Sequence, residues 1–222
     1  MKSALLAGAS GAVGKHCLRF LLESDSYGKV RVLVRKLLDA RHPKLEQQIV
    51  QFDSLEDFSS VVRGEDVFSC LGTTLNDAKT RKNYYKIDLT YPDKLARLAF
   101  KNGAERFFII TSVGASPHSS NFYLKVKGEI EYVLSQLPYK ALHIFRPSLI
   151  IRENPRLKEK LALALAVPFK FLMAGPFRKY RPLKARTIAL AMTRAARLNL
   201  KGIHIYESNE IQSIANWGDL PR

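Results

Sequence analysis

Three glycines near the start of the chain, Gly8, Gly11 and Gly14, constrain its fold more than any other feature. They follow the apolar run Ala4-Leu5-Leu6-Ala7 and precede Val13, Leu18, Leu21 and Leu22, whose spacing suits a helix. A strand that turns sharply into a helix needs small residues where its backbone approaches a pyrophosphate. The helix start then offers unpaired N–H groups and the positive end of its dipole. First in the chain and inside a βαβ unit, the G-x-x-G-x-x-G spacing reads as a dinucleotide-binding turn rather than a plain one. It departs from the G-x-G-x-x-G of the common dehydrogenase fingerprint.

The alternation continues to the end of the sequence. Strands are expected at 29–35, 48–53, 66–71, 107–112, 141–146 and 203–206, each dense in apolar residues. Helices are expected at 88–102, 121–136, 156–175 and 184–199, with a short capped one starting at Ser54. This order specifies an α/β fold: a Rossmann-like doubly wound parallel sheet with helices on both faces. The linkers are too short to separate domains, so residues 1–222 are expected to form a single one. Residues 152–201 would be its small, basic, helical substrate-side lobe. Apolar residues at 46% and charged residues at 25% exclude a disordered chain. Two cysteines, Cys17 and Cys70, cannot build a disulfide framework, and the five histidines lack metal-ligand spacing, so no metal is expected. Cys70 reads as a packed small residue or as a reactive thiol. The apolar stretch at the N-terminus is too short for a secretory segment, which favours a cytoplasmic protein.

Two further constellations bear on chemistry. The second strand ends in Arg35-Lys36, where an NAD-binding turn would carry an acidic residue for the ribose 2′-hydroxyl. A guanidinium there suits a 2′-phosphate and favours NADPH over NADH, unless the pair is only a solvated surface. Asp53-Ser54, after the third strand, either meets the adenine amino group or merely caps a helix. Ser112 falls at the end of the fifth strand, and Tyr123 and Lys127, four apart, share one face of the next helix. A lysine ammonium near a phenol favours the phenolate and eases proton transfer, while Ser112 can hydrogen-bond a substrate carbonyl.

With GASGAVG at the start, TSVGAS near the middle, then YLKVK and FRPSLI, the sequence resembles the short-chain dehydrogenase/reductase superfamily. The glycine spacing and the CLGTT segment place it among atypical members. It is most similar to the small NAD(P)H-binding oxidoreductases related to the Tat-interacting protein. The resemblance implies that Gly8, Ser10, Gly11, Ala12 and Val13 contact the pyrophosphate. Arg35 and Lys36 would hold the 2′-phosphate, and Asp53 and Ser54 would border the adenine. Cys70, Leu71, Gly72 and Thr73 would pass the adenine-side ribose; Pro147, Ser148 and Leu149 would lie beside the nicotinamide. Ser112, Tyr123 and Lys127 match the catalytic triad, with Lys127 also holding the nicotinamide ribose. CLGTT replaces the N-[NA]-A-G segment of typical members, and no asparagine matches the one that supports their proton relay.

The expected activity is NADPH-dependent reduction of a carbonyl or related small molecule. The alternative is an NADPH-binding regulatory or scaffolding protein with little turnover. Charge adds a second theme. Lys and Arg number 36 against 20 Asp and Glu, a net +16. Residues 152–201 alone hold 13 basic groups and two acidic ones, Glu153 and Glu159. Phe169, Phe171, Phe177 and Tyr180 interleave there with Lys170, Arg178, Lys179 and Arg181. Such a lobe suits an anionic substrate, nucleic acid or a peripheral position on an anionic membrane, or is a solvated helix covering the cleft. Nothing in it is long enough to span a bilayer. The sequence leaves substrate identity and oligomeric state open.

Overall fold

The strands are β1 (Lys2–Ala7), β2 (Tyr27–Val34), β3 (Leu45–Ile49), β4 (Asp66–Ser69), β5 (Arg106–Ile110), β6 (Ala141–Arg146), β7 (Ile150–Ile151), β8 (Leu183–Lys184) and β9 (Gly202–Glu207). They come from a computed structural model, which describes residues 1–152 and 175–217. Seven of them form one sheet in the order β3-β2-β1-β4-β5-β6-β9, and every neighbouring pair in it is parallel. β7 and β8 pair separately. The chain starts at the middle of the sheet, builds toward β3, then returns to β1 and builds the other way. That reversal opens a crevice beyond the carboxyl ends of β1 and β4, where doubly wound sheets bind ligands.

Strand alternation sends side chains to two apolar layers. Ala4 and Leu6 join a layer closed by α1 (Gly14–Glu23), then by two late helices, Ala185–Ala195 and Ser208–Asn216. Leu5 and Ala7 join the opposite layer, closed by helices Tyr91–Lys101 and Phe122–Ser135. Among the described residues the helices are, in chain order, α1, α2 (Leu75–Ala78), α3 (Arg81–Tyr85), α4 (Tyr91–Lys101), α5 (Phe122–Ser135), α6 (Ala185–Ala195) and α7 (Ser208–Asn216). At the amino end of the sheet, buried Arg106 donates through Nε to Asp66 at 2.5 Å, and the Tyr27 hydroxyl donates to Asp66 at 2.6 Å. This network pins the end remote from the crevice.

Several boundaries differ from expectation. β3 occupies Leu45–Ile49, earlier than 48–53, and a 3-10 helix takes Phe52–Val61. The helix expected from residue 88 begins as a π-turn, Lys86–Thr90, before α4. The β7–β8 pair, α2, α3 and α7 were not expected. The helix expected at 156–175 lies outside the described residues except for its last position.

Candidate cofactor and active site

Sheet register sets the residues of the site side by side. Ala7 pairs with both Leu33 and Ser69, so the Gly8 turn is level with Arg35 on one side and Cys70 on the other. Ile109 pairs with Ser69 and Ile144, which brings Ser112 level with Gly72 and Pro147. The Val113 amide donates to the Pro147 carbonyl at 3.1 Å and fixes that last alignment.

Gly8 has φ +84°, and a Cβ there would overlap the carbonyl of Cys70. A Cβ at Gly14 would overlap the carbonyl of Gly8. No other residue type fits this crossing without moving backbone, which is how a strand, a turn and a helix start come close enough to cradle an anion. α1 starts with no side-chain cap and no acidic residue in its first turn. Its N-terminal partial charge is therefore left to whatever enters the crevice.

α5 presents Tyr123, Lys127 and Glu131 one turn apart along one face. Asn121 caps it, accepting the Leu124 N–H at 3.2 Å. A Cβ at Gly128 would overlap backbone at Ser116 and Pro117, so α5 is pressed against the loop after β5. Lys127 is buried, and its Nζ lies 2.7 Å from Oδ1 of buried Asp88. Oδ2 of Asp88 accepts the Thr73 N–H at 2.9 Å. One carboxylate thus ties the segment after β4 to the lysine of α5. Burial works against the Lys127 charge, but Asp88, Tyr123 and Glu131 outweigh it and hold the ammonium above the usual lysine value. Tyr84 is fully buried with its ring centroid 5.9 Å from that of Tyr123. Burial, then the charges of Asp88 and Tyr123, push its hydroxyl well above the usual tyrosine range.

Behind this row, Thr111 donates to Glu131 at 2.6 Å and Arg146 donates to it through Nε at 3.0 Å. The three lock the ends of β5 and β6 to α5. Ser112 is buried, and its hydroxyl donates to the Val113 carbonyl at 3.3 Å. Ser148 donates to the carbonyls of Tyr180 and Arg181 at 2.8 and 2.9 Å. The loop of Pro147, Ser148 and Leu149 is thereby joined to the 3-10 turn Gly175–Tyr180.

The expected site residues meet this frame unevenly. Gly8, Ser10, Gly11, Ala12 and Val13 lie in the turn; Cys70 and Leu71 run beside Gly8, while Gly72 and Thr73 lie against Asp88. Arg35 and Lys36 are exposed past β2. Asp53 does not cap the 3-10 helix; its carboxylate accepts from Tyr91 at 2.8 Å and pairs with Lys86. Ser54 beside it is half-buried. Asp88 and Tyr84 were missed. Their only sequence signal is an acidic residue set between Ile87 and Leu89, four after a tyrosine.

A family model described as NAD(P)H-binding matches residues 8–143. Protein HTATIP2 of Rattus norvegicus is 35% identical over 167 residues, which cover 72% of this chain and 69% of that protein. Protein FMP52, mitochondrial, of Saccharomyces cerevisiae is 31% identical over 159 residues, covering 70% and 68%. Among solved structures, MoeE5 in complex with UDP-glucose and NAD superposes with a TM-score of 0.70 at 13% identity, covering 96% of this chain and 81% of that one. Human epimerase family protein SDR39U1 with NADPH gives 0.61 at 15% identity, covering 92% and 74%. At such identities the solved structures speak for the fold.

Proposed function

This chain is a member of the NAD(P)H-binding family, and on that premise we propose that it is an atypical short-chain dehydrogenase/reductase, an NADPH-dependent oxidoreductase reducing a carbonyl or related small molecule. The observation that carries the reading is the buried Asp88–Lys127 pair, one helical turn from Tyr123 and beside Gly72. The crowded glycine turn, the uncapped start of α1 and the buried ammonium suit a dinucleotide. Gly8, Ser10, Gly11, Ala12 and Val13 would hold its pyrophosphate, Arg35 and Lys36 its 2′-phosphate. Pro147, Ser148 and Leu149 would flank its nicotinamide end. When bound, the reduced cofactor supplies a hydride. Tyr123 gives its phenolic proton to the substrate oxygen as charge develops there, and Lys127, kept charged by Asp88, favours the phenolate left behind. Ser112 turns from Val113 to orient the carbonyl. The test is NADPH consumption against a panel of aldehydes and quinones. No turnover across the panel, with NADPH still bound, would overturn this reading in favour of a regulatory NADPH-binding protein.

Arg35 decides between cofactors in this proposal. Arg35→Ala is expected to weaken NADPH binding roughly tenfold or more, on the scale of a hydrogen bond to a charged group, and to leave NADH binding nearly unchanged. Titrating both cofactors against both proteins at one salt concentration checks it. Equal NADPH affinities would remove Arg35 from the site.

The substrate in this proposal is anionic. Arg178, Lys179 and Arg181 adjoin the loop of Ser148, which in this proposal is the nicotinamide side of the crevice. Changing the three together to Gln should raise KM, by a factor that shrinks as salt shortens the Debye length to about 8 Å at physiological ionic strength. A salt-independent KM, or retention of the protein on anionic liposomes or nucleic acid instead, would reassign the cluster. No helix among the described residues is long and apolar enough to cross a membrane. A cytoplasmic location is proposed with this, and cell fractionation would test it against the mitochondrial label of the fungal relative.

A further inference from the structure

The two edges of the sheet are built differently. At one, β3 carries the polar run Glu46-Gln47-Gln48; Glu46 pairs with Lys29 at 2.7 Å, and the Gln47 amide donates to the carbonyls of Leu38 and Ala40. Polar side chains and a tied-down loop blunt an edge against pairing. At the other edge, β9 carries no acid, lysine, arginine or proline from Gly202 to Tyr206, and among the described residues nothing pairs with its outer side. The Gly202 N–H donates inward to the Lys140 carbonyl at 2.9 Å. By alternation, the N–H and C=O groups of Ile203 and Ile205 point outward. Both side chains fall on the face of Leu142 and Ile144, their partners in β6, yet they stay 52% and 43% exposed while those partners are buried.

The opposite face of β9 ends a row of rings. Phe68, Phe108, His143 and His204 stand in register across β4, β5, β6 and β9. Their centroids are 4.6, 4.5 and 5.2 Å apart, with interplanar angles of 11°, 4° and 23°. Stacked contacts of this kind add to apolar burial. The row starts in the core, reaches half-buried His204 and there meets the open edge. Nε2 of His204 lies 2.9 Å from the Lys201 carbonyl, which holds the ring at that edge.

We propose that β9 pairs antiparallel with β9 of a second copy of this chain, in the register that sets His204 against His204 about a two-fold axis. Ile203 then stands opposite Ile205 of the second copy. Both present outward N–H and C=O groups, so the two residues exchange both hydrogen bonds. His204 meets its counterpart as a non-hydrogen-bonded pair, with Cα atoms about 4.5 Å apart, and the row of rings runs on from one molecule into the other. On the other face the isoleucines of both copies cover one another. Charge favours the same direction. Lys201 precedes the strand and Glu207 ends it, so antiparallel pairing sets each lysine near the acid of the other copy. Glu207 already accepts a backbone N–H in the capping box of α7, and its carboxylate keeps lone pairs for the lysine. A shift by two residues would set Ile203 against Glu207, or Ile205 against Lys201. Only the His204-centred register matches apolar with apolar and charge with opposite charge. Such an interface is self-complementary and closes at two copies, and the pairing needs no cofactor.

Sedimentation of the full chain from about 1 to 100 μM, a span that covers modest dissociation constants, reads the association. The expected result is a mass that rises with concentration from 25.1 kDa toward twice that value. Ile205→Lys should weaken association roughly tenfold or more, because it sets a charge against Ile203 of the second copy. Its denaturant midpoint should stay near that of the wild type, since the position is exposed. Adding Ile203→Glu to Ile205→Lys should restore the dimer, because the register then sets opposite charges face to face. His204→Cys, in a Cys70→Ser background, should give a disulfide-linked dimer on oxidation, and Ile205→Cys in the same background should not. A mass of 25.1 kDa at every concentration would overturn the proposal. A dimer that Ile205→Lys leaves intact would place the contact on another face and overturn it too. A dimer that links through Ile205→Cys but not through His204→Cys, or that the double variant fails to restore, would overturn the register.

Discussion

Asp88→Ala is expected to lower the free energy of unfolding by about 3–5 kcal/mol, the scale of leaving one buried ion-pair partner alone. Against a total of roughly 5–15 kcal/mol for a folded domain, that is a large fraction. The effect should appear as a lower denaturant midpoint at unchanged slope. Asp88→Asn separates charge from shape, because it keeps an acceptor for the Thr73 N–H. In the wild type the Lys127 value is raised, so its contribution is fully present below the unfolded lysine value of about 10.4 and is lost as pH climbs through the higher folded value. With the Asp88 charge gone, burial dominates and the Lys127 value falls below that of the unfolded chain. The variant should then lose stability as pH falls from the alkaline range, the opposite slope. Denaturant midpoints from neutral to alkaline pH would show it, and equal midpoints for all three proteins would mean that the pair contributes nothing.

What the sequence revealed and what it hid follow from where each signal resides. The glycine turn and the inner strands are local: each is a short run whose composition already fits one place in a parallel sheet. β3 is an edge strand with half-buried Glu46, Gln47 and Gln48, so its apolar signal is weak. The cue came instead from Val50 and Phe52, which tuck into the core just after the strand ends. α7 begins with a capping box between Glu207 and Glu210, without the serine or threonine that usually advertises one. Asp88 stands at a position where an acidic residue ordinarily means a helix start. Its meeting with Lys127 is a fact of tertiary structure that no periodicity carries. Where the resemblance implies an asparagine, the neighbour of Lys127 is a carboxylate from the π-turn, which a search for asparagine does not find.

Tyr123→Phe is expected to reduce turnover roughly a hundredfold or more once a substrate is in hand, the scale of positioned acid catalysis. The substitution removes the proton donor and keeps the ring that packs against Tyr84. Lys127 retains Asp88, so the buried pair and the fold it supports should persist, and the denaturant midpoint should stay near that of the wild type. NADPH affinity should move little, because the groups proposed to face its phosphates lie on the glycine turn and past β2. That pattern, lost turnover with kept stability and kept binding, separates a proton donor from a packing residue, whose loss would lower all three. Lys127→Met sharpens the contrast: it removes the charge that favours the phenolate and leaves Asp88 buried and unpaired, so turnover and stability should fall together. Unchanged turnover in Tyr123→Phe would take the phenol out of the chemistry and leave the Asp88–Lys127 pair as a nucleotide-binding device.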